Sequence, residues 1–584
     1  MKIHTILLKT ITGAAIFFSC SKSVLDKPAP GWLNPQDLTN KTGVDGLLIG
    51  AYSLLDGVGS INVAINDSWQ SAGSNWVYGS VCGTEAHKGS SEGDQPDMGS
   101  LEEFKATSFN PSMAGKWATV YDGVQRCNDV LRIMRLATDI KPADTVEIRS
   151  EALFLRAHYH FEAKKIWNHV PFVDESVTYD AGNYKMSNEA DIWPHIEDDL
   201  EYAIAHLPGV AKDIGRANHY SAEALLAKVY MFQGKYDSAK TLLTDIISSG
   251  HYQLSPHYGD NFNAEKQNNQ ENIFVAETSV NDGSGGMNGN YGDIFNYPNS
   301  GPVGCCGFFQ PSQFMVNHFK TDPVSGLPNL DENNLTDIPS DYGKTSGDAF
   351  TPYAGTVDPR LDWTVGRRGI PYLDWGLHPG ADWIVDQSTG GPYSPIKNMY
   401  YKSQQGIYSD RQGWTAASNA IHIGLIRYAD VLLWAAEAEV FTQNGSLAKA
   451  QEYVNQVRMR AADPGGWVYQ YKNAQDPSQG FSDTPAANYK INPYPGVWTD
   501  PLMAIQAIRY ERMLELGMEG HRFFDLVRWG IAANSINTYL SKEKSISGYL
   551  SKSVFVAGKN EYFPIPQSEI DKSDHLLIQN HGYF

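Results

Sequence analysis

The sequence predicts a mainly α-helical protein: a tetratricopeptide-like scaffold of helical hairpins with a large loop-rich insertion carrying few short strands. The first observation is an internal repeat. Ala227, Tyr230, Gly234 and Ala239 recur at identical spacing as Ala438, Phe441, Gly445 and Ala450, and the match runs on through Leu243 and Ile246 against Val454 and Val457. Small residues let two helices approach, the aromatic fills the gap between them and the glycine makes the turn, as in a tetratricopeptide hairpin. The second observation is a pair of strongly periodic segments, Trp117 to Leu136 and Glu147 to Trp167, joined by the turn Asp139 to Asp144. They predict two antiparallel helices. The third is the stretch between the repeats, where Gly, Asn and Pro leave neither a strand nor a helix period. The repeats stand too far apart for a tandem array, so a helical scaffold with an insertion emerging from it is expected.

From the N-terminus, residues 1–19 read as a signal peptide, with Lys2 and Lys9 ahead of an apolar run, Ile11 to Phe18, too short to cross a bilayer. Ser19-Cys20 resembles a bacterial lipobox, in which Cys20 becomes the acylated first residue, although Phe17 stands where the strict pattern has Leu. Plain secretory cleavage with loss of Cys20 is the alternative. Residues 20–35 form a lipidated, proline-containing tether, and more than one acyl chain on Cys20 would hold it firmly at a membrane. Residues 36–250 are an N-terminal helical region, with helices at Asn40 to Leu55, Ile192 to Leu207 and Ser221 to Phe232 beside the two periodic ones. Within it, Gly57 to Gly99 reads as loop holding Trp69, Trp76 and Tyr78. Residues 251–423 are the aromatic insertion, with a buried strand at Ile273 to Ala276 and a helix at Ser312 to Phe319. Asp331 to Asp348 is acidic but lacks the D-x-[DN]-x-[DN]-G pattern of a calcium loop, so it reads as a solvated loop. Residues 424–584 carry the second repeat and further helices.

Composition narrows the function classes. A formal net charge of -20 would repel nucleic acid and anionic membrane surfaces, and leaves neutral or cationic ligands. The 14 Trp and 32 Tyr are many for an ordinary globular chain. Besides Cys20 there are Cys82, Cys127, Cys305 and Cys306, with no C-x-x-C and too few cysteines for a disulfide scaffold. Adjacent Cys305 and Cys306 read as two small reduced residues in a tight loop. The alternative is a strained vicinal disulfide, flat enough to offer an apolar platform. No Walker, H-E-x-x-H or dinucleotide fingerprint occurs, and neither a metal nor a cofactor is expected.

The ligand candidates lie in Asp358 to Trp414, where Trp363, Tyr372, Trp375, Trp383, Tyr393, Tyr400, Tyr401, Tyr408 and Trp414 are interrupted by Gly and Pro. So many rings cannot all enter a core by simple patterning. Sugars stack their C–H faces on Trp and Tyr and bond their hydroxyls to acids and Arg, which singles out Trp363, Trp375, Trp383, Tyr372, Tyr393, Asp374 and Arg367. A peptide could use the same surface, and for any one ring the plainer role is to bind loops to the scaffold. Asp358-Pro359-Arg360 reads as a salt-bridged turn.

The densest motif runs from Arg509 to Trp529. Asp500 and Pro501 start a helix and Gly517 ends it, with Glu511 and Glu515 on one face. Nearby arginines would keep both ionised, and a general acid must be protonated, so Glu511, Arg512, Glu515, Arg522, Asp525, Arg528 and Trp529 read as structure. Arg522 and Arg528 are expected to neutralise Glu511, Glu515 or Asp525, with Phe523, Phe524 and Trp529 buried. The run E-R-x-x-E-L-x-x-E-G-H-R-x-F-D-L-x-R-W-G from Glu511, the Tyr562 to Ile570 segment YFPIPQSEI and the RYADVLL run from Arg427 resemble the SusD/RagB family. That resemblance implies a lipid-anchored lipoprotein on the outer face of the outer membrane, binding nutrient for a SusC-like TonB-dependent transporter and acting as its lid. It implies an oligosaccharide ligand and no catalysis; a peptide ligand, or a surface glycoside hydrolase, is the alternative.

Overall fold

The computed structural model describes residues 35–58, 68–410 and 418–583. The signal segment, Cys20 and Trp414 lie outside them. Helix α1 (Lys41–Tyr52) starts where the Asn40 side chain accepts the Gly43 N–H. Helix α2 (Pro111–Met134) starts ahead of the expected Trp117, because Asn110 caps it and Pro111 opens its first turn. Helix α3 (Pro142–Trp167) likewise begins at Pro142, expected as turn; at the first helical position the missing proline N–H costs nothing. Helices α4 (Trp193–His206), α5 (His219–Phe232) and α6 (Tyr236–Ser249) follow. Each of these helices packs on the next, from α1 to α6.

The chain then leaves the stack and returns as α7 (Tyr428–Phe441) and α8 (Leu447–Ala462). Helix α6 packs directly on α7, so the two repeats, remote in sequence, are neighbours in space. Ala227, Ala239, Ala438 and Ala450 are all fully buried between helices. The repeat aromatics behave differently from the expectation: Phe441 does not fill the gap inside its own hairpin, but stacks on Tyr236 of the other, with ring centroids 4.6 Å apart.

The insertion leaves and re-enters through one ribbon. Strand β1 (Asn272–Ala276) pairs antiparallel with β2 (Ile423–Arg427), setting Val275 opposite Gly424 and Ala276 opposite Ile423. Phe274 meets Phe154 of α3 edge-on at 4.8 Å, which anchors the ribbon to the stack. Within the insertion the strands are short and form two-stranded pairs, and the predicted helix is present as Gln313–His318.

Helix α9 (Pro501–Leu516) packs on α7 and α8, and the Asp500 side chain accepts the Leu502 N–H at its start. Glu511 and Glu515 face inward and are fully buried. Their partners are not the arginines of the motif. Arg360 reaches Glu511 at 2.7 Å and Glu515 at 3.0 Å, Arg458 reaches Glu511 at 2.8 Å, and Arg427 and Arg460 reach Glu515 at 3.2 and 2.5 Å. Burial alone would raise the Glu515 carboxyl, but Arg460, Arg427 and Arg360 hold it down to about 2. Arg360 also closes the expected salt bridge to Asp358 at 2.8 Å, so that turn belongs to the same cluster. In helix α10 (Arg522–Arg528), Arg528 pairs with Asp525 at 2.8 Å and with Glu437 at 2.7 Å, while Arg522 reaches Glu332 at 2.6 Å. Arg512 joins Asp525 at 2.8 Å to Asp430 at 3.3 Å. Phe523, Phe524 and Trp529 are buried as expected.

Gly57 to Gly99, expected as loop, holds packed helical turns and a strand over much of its described part. Ser68–Ser71 is a helical turn, Trp76–Val81 a π-helical turn, Ala86–Gly89 a strand paired with Phe308–Pro311, and Pro96–Glu102 a helix. Its glycines serve close approach: a Cβ on Gly79 would stand 1.8 Å from the Gly520 carbonyl oxygen. Trp69, Trp76 and Tyr78 are buried. The strand also carries His87, whose ring nitrogens face Glu102 at 2.9 Å and Glu543, the last residue of helix α11 (Ala532–Glu543), at 3.2 Å. Burial works against the imidazolium, yet Glu102 and Glu543 prevail and raise His87 to about 9.

Two outcomes follow from these buried charges. Glu515→Ala takes a buried carboxylate from three guanidiniums at once, and denaturant unfolding should show a loss of about 3 kcal/mol or more; a loss below about 1 kcal/mol contradicts the clamp. His87 is raised in the folded state, so its contribution is complete below its ordinary pKa near 6.5 and disappears as pH rises through about 9. The stability advantage of the native chain over His87→Gln should therefore shrink by roughly 3 kcal/mol across that window. An advantage that stays constant with pH removes the buried imidazolium from the account.

Candidate ligand-binding surface

The Asp358-Pro359-Arg360 turn runs straight into a single helical turn, Leu361–Thr364, so the buried clamp fixes the position of Trp363. The Trp363 indole N–H donates to the Gly466 carbonyl at 2.8 Å. Gly259 lies against the ring, where an added Cβ would stand 2.8 Å away. The ring is thus held in one orientation and only partly covered. It walls a cavity of about 240 Å³ together with Tyr401, Trp467, Tyr469 and Phe481, and His257 and Asp260 also line it. The Trp467 indole N–H donates to the Ala461 carbonyl at 3.1 Å, and Phe481 stacks on Tyr471 at 5.2 Å, so these walls are fixed too. Fixed rings around an open space are what a C–H face of a sugar or a flat apolar group can stack on without ordering the protein first.

The other candidates fall in three different places. Tyr372, Tyr393 and Arg367, expected at the ligand surface, lie in the interior. The Tyr372 hydroxyl donates to the Pro395 carbonyl, the Tyr393 hydroxyl to Gln313 Oε1 at 2.9 Å, and Arg367 forks onto Asp362 at 2.6 and 2.9 Å. Asp362 also accepts the Tyr489 hydroxyl at 2.6 Å. These groups bind loops together, the plainer role set out for such rings. Trp375 is half-buried and donates to the Tyr400 carbonyl at 2.8 Å, while Asp374 caps the next turn by accepting the Lys402 and Ser403 N–H groups. Trp383 is half-buried, braced edge-on by Tyr372 at 5.2 Å and His378 at 5.0 Å.

The loop beside Trp383 corrects the reading of the cysteines. The Asn299 N–H donates to the Trp383 carbonyl at 3.0 Å, and a few residues on, Cys305 and Cys306 are bonded to each other rather than reduced. A chain expected to carry a signal peptide would meet an oxidising compartment, which favours the bonded pair where spacing could not choose. Cys82 and Cys127 are buried thiols.

Trp467, Tyr469 and Phe481 were missed because they follow the second repeat, outside the insertion. The segment PGGWVYQY carries the same mixture of Gly, Pro and aromatic residues and would have marked Trp467 and Tyr469. A larger groove of about 860 Å³ lies beside α1, α2 and β1, but the one ring among its described lining residues is Tyr52, whose hydroxyl is held by Glu151 at 2.6 Å. Among the described residues no helix is long and apolar enough to cross a membrane.

Residues 270–583 match the family model described as SusD family, more than half of the chain. The chain belongs to the SusD family. A second SusD-related model, described as starch-binding associating with outer membrane, matches residues 54–231. The SusD-like protein P25 of Formosa agariphila is 26% identical over 81% of this chain and 80% of its own length. A SusD-like carbohydrate binding protein from Bacteroides fragilis superposes with a TM-score of 0.68 at 21% identity, covering 92% of this chain and all but 1% of that one, a 99% share. Surface glycan-binding protein A of Bacteroides thetaiotaomicron, solved in complex with laminarihexaose, superposes with a TM-score of 0.62 at 20% identity over 93% of this chain and 99% of that one. At these identities the superpositions establish the SusD fold.

Proposed function

We propose that this SusD-family protein binds oligosaccharide at the cell surface without performing chemistry on it, and that Trp363 and its cleft make the contact. The observation that carries the reading is the cleft itself: a fixed indole facing an open space walled by four further aromatic rings, with Asp260 and His257 beside it. Its volume is below that of a typical drug-sized pocket and suits a single sugar ring of a longer chain. The laminarihexaose bound by a protein of the same fold supports a glycan over a peptide. The non-catalytic reading is supported by the best carboxylate pair, Glu511 and Glu515, which is sealed from solvent and committed to arginines.

The cellular setting belongs to the same proposal. Cys20 is acylated, the tether 20–35 lifts the body off the outer membrane, and the protein closes as a lid over a SusC-like TonB-dependent transporter that supplies the energy. The region 251–423 presents the ligand, and the helical regions 36–250 and 424–584 carry the partner contact. The SusD family assignment supports this setting.

Titration of purified protein with a panel of oligosaccharides including laminarihexaose, followed by Trp fluorescence and calorimetry, tests the reading. Trp363→Ala should weaken the best ligand at least about tenfold, about 1.4 kcal/mol. Loss in Trp383→Ala with Trp363→Ala unaffected would move the site to the Cys305–Cys306 loop. A protein that binds no glycan in the panel, or releases new reducing ends from one, overturns the proposal.

A further inference from the structure

Helices α5 and α6 meet at three ligand-type side chains that glycan binding leaves unused: His219, Glu223 and Asp245. His219 and Glu223 stand one turn apart on α5, with Nε2 3.3 Å from Oε1, and Asp245 comes across from α6. One ligand atom from each of the three lies within 4.8 Å of the others. Glu223 is 5% exposed, yet its Oε2 has no hydrogen-bond partner. A buried carboxylate oxygen without a donor is costly, and what faces this one is a second carboxylate.

The imidazole supplies an independent clue. His219 Nδ1 lies 2.8 Å from the Ile204 carbonyl oxygen, which only accepts, so Nδ1 carries the proton. Nε2 is thereby turned toward the two acids with its lone pair available. A histidine whose other nitrogen donates to a carbonyl, fixing tautomer and ring direction, has the outer-shell support of a metal ligand. If Nε2 were protonated as well, it would serve Oε1 and still leave Oε2 without a donor.

We propose that His219, Glu223 and Asp245 bind a divalent transition-metal ion, with zinc the best match, and that the ion clips α5 to α6. Imidazole with two carboxylates suits zinc, whereas calcium and magnesium favour all-oxygen sites. Two carboxylates neutralise its charge, and a water completes a tetrahedral set. Asp245 is exposed and His219 partly so, which gives the ion a path from solvent.

Chelator-stripped full-length protein titrated with ZnCl2 by calorimetry, alongside thermal melts in ZnCl2, MgCl2 and CaCl2, tests the site. One equivalent of zinc should bind and raise Tm, with magnesium and calcium giving smaller shifts at equal concentration. His219→Ala and Asp245→Asn should each weaken binding at least about tenfold. Glu223→Gln keeps the side-chain volume, removes the unpaired charge, and should abolish the zinc-dependent rise in Tm without lowering the Tm of the metal-free protein. No binding by the native chain overturns the site. So does zinc binding that all three variants retain unchanged.

Discussion

Two glutamates on one face of α9, sealed from water, hold four arginines that come from other segments. Arg360 arrives from the insertion, Arg427 from the end of β2, and Arg458 and Arg460 from α8. Glu271, just ahead of β1, shares Arg427 and Arg460, with Arg460 at 3.2 Å. The cluster therefore ties the point where the insertion leaves the stack, the point where it returns, and the closing helix. Desolvating that many charges is expensive, and an apolar core of the same shape would often be as stable. What the charges add is specificity: each guanidinium fits only where a carboxylate meets it, so the segments meet in one arrangement.

The candidate glycan surface inherits its rigidity from this cluster. Arg360 and Trp363 are three residues apart, and one side chain lies in the clamp while the other walls the cleft. Trp467 sits shortly after α8, whose Arg458 and Arg460 are in the same clamp. Loops without regular pairing would ordinarily lose entropy on binding. Here the ordering is done by buried ion pairs and by the inward rings Tyr372 and Tyr393 before any ligand arrives.

The helical stack was legible because periodicity and caps are local: α1, α4, α5 and Gln313–His318 lie close to where their patterns put them. The repeat spacing identified two hairpins, but not that α6 and α7 would be neighbours, since that depends on β1 pairing with β2 across the whole insertion. Gly57 to Gly99 misled for a related reason. Its glycines mark places where backbone meets backbone, as Gly79 meets Gly520, and a single sequence cannot separate that use from a turn. At the candidate site, aromatic density marked the segment that carries Trp363, yet sequence has no means to say which rings point inward, so Tyr372 and Tyr393 were grouped with it. The partners of Glu511 and Glu515 were beyond reach because they are supplied by tertiary structure. The His219, Glu223 and Asp245 cluster was equally invisible, split between two helices and supported by a carbonyl on a third.

Native-state hydrogen exchange tests the central claim, that one buried ion cluster joins scaffold, ribbon and insertion root into a single cooperative unit. Amides whose hydrogen bonds lie in α9, in the β1–β2 ribbon and in the Asp358 to Thr364 turn should open with the same free energy and the same denaturant dependence. Exchange of the Asp358 to Thr364 turn at a far lower free energy than α9 would contradict the account, because the insertion would then open while the clamp stayed closed.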